Sequence, residues 1–144
     1  MKRKLIQTFV SVVAGVSVLA MASGGFAQSE RKGFRKTVVI DILEGFISAS
    51  EVAIQTGTTV VWHNATNRFV DVNFSTGQEV RDSCVAPIGF ELERGVYQAA
   101  NITPGGVASL CFVKPGAYHF SAIPQGTLTF GWRSSPGTII VRRD

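Results

Sequence analysis

Helical periodicity is absent from this chain, and polarity instead alternates every second residue wherever the pattern is regular. Thr59-Val60-Val61-Trp62-His63 and Phe69-Val70-Asp71-Val72-Asn73-Phe74 alternate in this way, and Tyr118, Phe120 and Ala122 share one face while His119 and Ser121 share the other. Turn signals separate the runs: Thr56-Gly57-Thr58, Asn64-Ala65-Thr66-Asn67, Pro104-Gly105-Gly106 and Lys114-Pro115-Gly116. Short half-buried strands with frequent turns specify an all-β sandwich.

Thr37 to Leu43, Glu51 to Gln55 and Thr59 to His63 read as three strands of a meander. The stretch Ser75 to Asn101, broken by Gly77, Pro87, Gly89 and Gly95, reads as an elaborated connection with one or two short strands. Val107 to Val113 is a strand, and Gly137-Thr138-Ile139-Ile140-Val141 is the last one. A loop with Gly, Pro and Ser, carrying Phe130 and Trp132, precedes that last strand.

The first residues have a different character. Lys2, Arg3 and Lys4 precede a largely apolar stretch, Leu5 to Ala22, and Gly25-Phe26-Ala27 places small residues three and one before a cut. This pattern predicts a secretory signal peptide over residues 1–27, an arm over 28–36 and one domain over 37–144. The expected location is periplasmic or secreted, with no stable membrane insertion after cleavage. Removing Lys2, Arg3 and Lys4 reduces the 14 Lys and Arg of the whole chain to 11, against 10 Asp and Glu. Such a balance gives no electrostatic case for nucleic acid. Arg31, Lys32, Arg35 and Lys36 read as a solvated arm. Cys84 and Cys111 survive processing, and an even count in an oxidising compartment predicts a disulfide between them.

Four separated segments then carry a family resemblance. Phe46 to Ile54, the run Gly57-Thr58-Thr59-Val60-Val61-Trp62-His63-Asn64, the stretch from Pro104 through Tyr118, and Gly137 to Val141 occur in the order of the plastocyanin- and pseudoazurin-like cupredoxins. Lys114-Pro115-Gly116-Ala117-Tyr118-His119-Phe120-Ser121-Ala122-Ile123-Pro124-Gln125 resembles their C-terminal metal loop. The resemblance implies a Greek-key sandwich of about seven to eight strands, with copper binding and electron transfer as the usual functions. It also implies where copper ligands would stand: Val70 at the first His, Ala122 at the Cys and Gln125 at the second His. The axial Met has no counterpart, since Met1 and Met21 both lie in the leader. Val and Ala ligate nothing, and a blue copper centre needs two imidazoles and a thiolate.

The expectation is therefore an exported cupredoxin-like domain that holds no cofactor and acts as a binding or structural partner in the cell envelope. One alternative is an unconventional copper or electron-transfer site using His63 and His119, the only imidazoles. Strand parity places both outside the core. A further alternative is a small-molecule or glycan binder. Phe69, Phe130 and Trp132 form a possible docking patch near the metal-loop end. No Ser-His-Asp, Cys-His, paired-carboxylate or phosphate-loop pattern can be assembled, so no enzymatic activity is expected.

Overall fold

The computed structural model describes residues 36–126 and 134–143. Eleven strands and one short helix occur among these residues. One sheet has five strands, in the spatial order Phe46–Ile47 (β2), Thr37–Leu43 (β1), Thr58–Asn64 (β4), Val107–Phe112 (β9) and Cys84–Ile88 (β6). The other has six: Glu51–Gln55 (β3), Ser135–Arg142 (β11), Gly116–Pro124 (β10), Val70–Phe74 (β5), Val96–Ile102 (β8) and Glu91–Glu93 (β7). The chain is an all-β sandwich with a single core between the two sheets.

Alternation builds that core. Along β4, Val60, Trp62 and Asn64 are fully buried while Val61 and His63 are half-buried on the opposite face. Along β10, Tyr118, Phe120 and Ala122 are buried. The two sheets are joined by aromatic contacts: the Trp62 ring lies 5.7 Å from Phe74, 5.4 Å from Phe90 and 5.4 Å from Phe120, edge to face in each case. Edge-to-face geometry is the arrangement that ring quadrupoles favour.

Three sequence expectations are corrected by the topology. The first three long strands are not a meander: β1 pairs with β4 in parallel, and β3 crosses to the other sheet to run parallel to β11. The crossing lets Ile54 enter the core from the opposite side to Ile40 and Ile42. The strand number exceeds seven to eight because β2 is only two residues long and the 75–101 stretch holds β6, β7 and β8. That stretch also contains a helix, Gly77–Ser83 (α1). Two turns are too short to display a period, and only Gly77, Val80 and Ser83, three apart, are buried.

Gly77 is fixed by close approach. A Cβ there would collide with the backbone carbonyl of Gly95 and the backbone nitrogen of Tyr97. Backbone cannot rotate aside as a side chain can, so Gly77→Ala must push α1 off β8. The expected cost is about 1–3 kcal/mol, the range for overpacking, read as a lowered midpoint in urea. An unchanged midpoint would show that the helix docks loosely.

Candidate functional site

The three positions assigned by the resemblance come together at one end of the sandwich. In the ladder between β5 and β10, Val70 stands opposite Pro124, Asp71 opposite Ile123 and Val72 opposite Ala122. Val70 and Ala122 are fully buried, and neither carries a donor atom. Gln125 follows directly after β10. Its backbone N–H donates to the Phe69 carbonyl at 2.8 Å, and its Nε2 donates to Asp71 Oδ1 at 2.7 Å.

Asp71 gathers a second donor. The backbone N–H of Asn101 reaches the same Oδ1 at 2.7 Å. The register between β5 and β8 shifts between Val70 and Val72, and Asn101 adopts a φ of 58°, a left-handed conformation that Asn tolerates better than most residues. The irregularity aims the Asn101 amide at the carboxylate. One side chain on β5 thus ties the residue after β10 to the end of β8. Hydrogen bonds to a charged acceptor are the stronger kind. In the sequence Asp71 is only one of the polar positions of the alternating run Phe69-Val70-Asp71-Val72-Asn73-Phe74. Its role depends on a bulge that leaves no mark in the sequence.

Behind this end lies a second network, centred on Asn64. Its Nδ2 donates to the carbonyls of Arg68 at 2.7 Å and Ile102 at 2.8 Å. Its Oδ1 accepts the Thr66 backbone N–H at 3.0 Å and the Thr66 hydroxyl at 2.7 Å. All four hydrogen-bonding positions of the amide are filled, as a fully buried Asn requires. The Asn64-Ala65-Thr66 turn signal was legible in the sequence; its long-range tie to Ile102 was not.

The two imidazoles are not brought together. His63 lies on the outer face of the five-stranded sheet, its Nδ1 2.8 Å from Asp41 Oδ1. His119 lies on the outer face of the six-stranded sheet, its Nδ1 3.0 Å from Thr138 Oγ1. The core separates them. Among the described residues no cluster of three or more His, Cys, Asp or Glu side chains is placed to hold a metal ion.

The expected disulfide is a correction. Cys84 and Cys111 are both free thiols. Cys84 stands opposite Phe112 and Val85 opposite Cys111 across β6 and β9, so Cys84 shares the core side with Phe112 while Cys111 lies on the other face of the sheet. Two-residue alternation puts the sheet between the two sulfurs. Burial, reinforced by the nearby Cys111, pushes the Cys84 thiol from 9.0 up to about 12. The thiol therefore stays protonated near neutral pH and reacts slowly. We predict that alkylation of the native protein at pH 8 leaves Cys84 unmodified, and that denaturant exposes two titratable thiols. A native mass two hydrogens light would reveal a bridge instead. Because the unfolded thiol ionises near 9 while the folded one holds its proton to about 12, this group's contribution to stability is intact below pH 9 and is lost as pH climbs through that window.

Phe69, just before β5, is 48 % exposed. Phe130 and Trp132, the other two members of the expected patch, lie outside the described residues. A groove of about 510 Å³ opens on the outer face of the six-stranded sheet, lined by Ser50, Asn73, His119, Ser121 and Thr138 among others.

The sheet order, the buried Trp62 and the closing ladder of β10 with β11 define a cupredoxin-like sandwich. Solved structures agree with this. A copper(I) form of a methionine-to-alanine variant of amicyanin superposes with a TM-score of 0.53 at 19 % identity, covering 74 % of this chain and 82 % of that one. A reduced tryptophan-to-tyrosine variant of amicyanin gives 0.53 at 17 % identity, over 77 % and 87 % of the two chains. An oxidised proline-to-glycine variant gives 0.51 at 19 % identity, over 81 % and 88 %. No family model matches the chain, and no curated protein matches it. At these identities the likeness is one of fold.

Proposed function

We propose that this chain is an exported cupredoxin-like domain that has lost type 1 copper and serves as a binding or structural partner in the cell envelope. The observation that carries the reading is the end of the sandwich formed by Val70, Ala122 and Gln125. Two of these positions are sealed into the core without a donor atom, and the third is committed to Asp71. Where a metal would crosslink loops, the Asp71 carboxylate joins Gln125 and Asn101 instead. These residues do not fit a blue copper centre, which requires imidazole and thiolate donors. Neither thiol is among them: Cys84 and Cys111 lie on β6 and β9, in the other sheet.

The test offers Cu(II) to protein isolated from the periplasm of an expressing bacterium, with an optical spectrum and metal analysis. The expected result is a mature chain beginning near Gln28, with no intense charge-transfer absorption toward the red. A strong blue or green band that Cys111→Ser abolishes would defeat the proposal. Colourless copper binding lost in His63→Ala would favour the unconventional copper site.

The groove on the six-stranded sheet favours a second reading, a small neutral ligand such as a sugar. Its volume of about 510 Å³ suits a small molecule, and its hydroxyls and amide are neutral hydrogen-bonding groups. Ligand-observed NMR with neutral saccharides, repeated on Ser121→Trp to block the groove, tests it. Signals unchanged by the block would remove this reading.

A further inference from the structure

We propose that Lys36, Arg142 and Arg143 form a site for the phosphate groups of an anionic lipid surface. The site lies at the opposite end of β10 from Gln125, where Gly116 stands opposite Val141. It rests on the proposed function only for export, which binding to a lipid vesicle does not require.

Two backbone hydrogen bonds build this end. The Thr59 N–H donates to the Lys36 carbonyl at 2.9 Å, and the Thr56 N–H donates to the Arg142 carbonyl at 3.0 Å. Lys36 leads into β1 of one sheet and Arg142 ends β11 of the other, so the passage from β3 into β4 holds both main chains. Lys36, which the sequence places in a solvated arm, is thus fixed by its backbone while its side chain stays exposed, as do those of Arg142 and Arg143. A hollow of about 250 Å³ is lined by Lys36, Ala53, Ile54, Gln55, Arg142 and Arg143.

The three cations are not spent on the protein's own carboxylates. The ion pairs among the described residues join His63 to Asp41, Arg81 to Asp82 and Arg94 to Glu93. Along β3 the first carboxylate is Glu51, which stands opposite Thr138, whereas Gln55 stands opposite Arg142. Four strand residues span about 13 Å, more than the roughly 8 Å over which physiological salt leaves exposed charges coupled. Like charges gathered at one hollow repel one another, and phosphate oxygens relieve that repulsion while accepting the guanidinium hydrogen bonds in pairs.

The distribution of charge favours an extended anionic surface over a single small ion. Near the chain ends beyond the leader, Arg31, Lys32, Arg35, Lys36, Arg142 and Arg143 face only Glu30 and Asp144, whereas residues 37–141 carry five cations and eight carboxylates. The near-balance of the whole therefore hides a strong separation. The edge of the six-stranded sheet farthest from β3 is β7, five strand spacings or about 24 Å away. Glu91 and Glu93 lie there, beside a second hollow of about 220 Å³. A molecule polarised in this way turns its basic end toward a negative surface and its acidic edge away from it. Clustered Lys and Arg recognise anionic headgroups by the same charge attraction.

Co-sedimentation with lipid vesicles, using protein isolated after expression of the full chain, tests this. The protein should pellet with vesicles of phosphatidylcholine and phosphatidylglycerol in equal parts, stay in solution with phosphatidylcholine alone, and be released when NaCl is raised from about 0.05 M to about 0.5 M. Each Lys or Arg near an anionic surface strengthens binding about fivefold. Lys36→Gln should therefore weaken vesicle binding about fivefold, and Arg142→Gln combined with Arg143→Gln about 25-fold. All three side chains are exposed, so the melting temperature should stay close to that of the parent. Arg94→Gln removes the same charge from a fully solvated side chain beside β7 and should leave binding nearly unchanged. Failure to bind the mixed vesicles overturns the proposal, as does binding that phosphatidylcholine alone reproduces, or an Arg94→Gln loss as large as that of Lys36→Gln. Calorimetry with inorganic phosphate separates the other source of the same chemistry: heat of binding without vesicle capture would make the hollow a site for a free anion and overturn the lipid assignment.

Discussion

Trp62→Ala should come close to abolishing the fold. The indole is fully buried and touches Phe74 and Phe120 from the facing sheet and Phe90 from the connection between β6 and β7, with ring centroids 5.4 to 5.7 Å away. Removing it opens a cavity that neighbours on two separate sheets cannot close together. Large aromatic truncations in a core cost about 3–5 kcal/mol, set against a total stability of roughly 5–15 kcal/mol for a domain of this kind. The melting temperature should fall by roughly 12–20 °C, at about 4 °C per kcal/mol. Trp62→Phe should cost much less. It keeps an aromatic ring in the cluster and removes an indole N–H that is buried without an acceptor, so part of the lost packing is offset. A Trp62→Ala melt shifted by under about 5 °C would mean that the two sheets do not depend on this cluster for their packing.

The same residue shows why the fold was legible in the sequence. Alternation around Trp62 assigned the inward and outward sides of β4 correctly, and Tyr118, Phe120 and Ala122 did the same for β10, because a strand with one face in a core must repeat every two residues. Pairing between strands carries no such local signature. The parallel pairing of β1 with β4 reads as a meander, since nothing in Phe46 to Ser50 announces a change of sheet. Cysteine pairing failed for the same reason. The count of two favoured a bridge, while the register that sets Cys84 and Cys111 on opposite faces of one sheet is a property of β6 against β9. Of the candidate site, the composition of Val70, Ala122 and Gln125 was readable, but the bonds of Asp71 to Gln125 and Asn101 depend on a bulge and on Asn101's left-handed backbone. Val39, Val61, Ser109 and Ile88 are likewise far apart in sequence and line up across the five-stranded sheet only through its register.

Asn64→Asp should be the most damaging conservative change in the chain, and its cost should depend on pH. The amide donates two hydrogen bonds, to the carbonyls of Arg68 and Ile102, from a site with no solvent exposure. A carboxylate placed there aims an anionic oxygen at two carbonyl oxygens and leaves its charge buried. An uncompensated buried charge costs about 3–5 kcal/mol. The protonated acid can donate to one of the carbonyls, so the folded state favours it and raises the new group's pKa above the unpaired value of about 3.9. The sign follows. Well below pH 4 the carboxyl is neutral in both states, and the variant, which keeps one of these two bonds, should be no less stable than Asn64→Ala, which leaves both carbonyls unpaired at about 1–3 kcal/mol. As pH rises above 4, the unfolded chain ionises first, and the deficit should grow by up to about 1.4 kcal/mol per pH unit until the folded carboxyl also ionises. Urea midpoints for the parent, Asn64→Ala and Asn64→Asp between pH 4 and 8 check this directly. Parallel curves for the two variants would show that water reaches the site and screens the charge. A deficit for Asn64→Asp that widens with pH, beside a constant one for Asn64→Ala, would show that the end of the sandwich beneath Val70 and Gln125 is closed around a single uncharged amide.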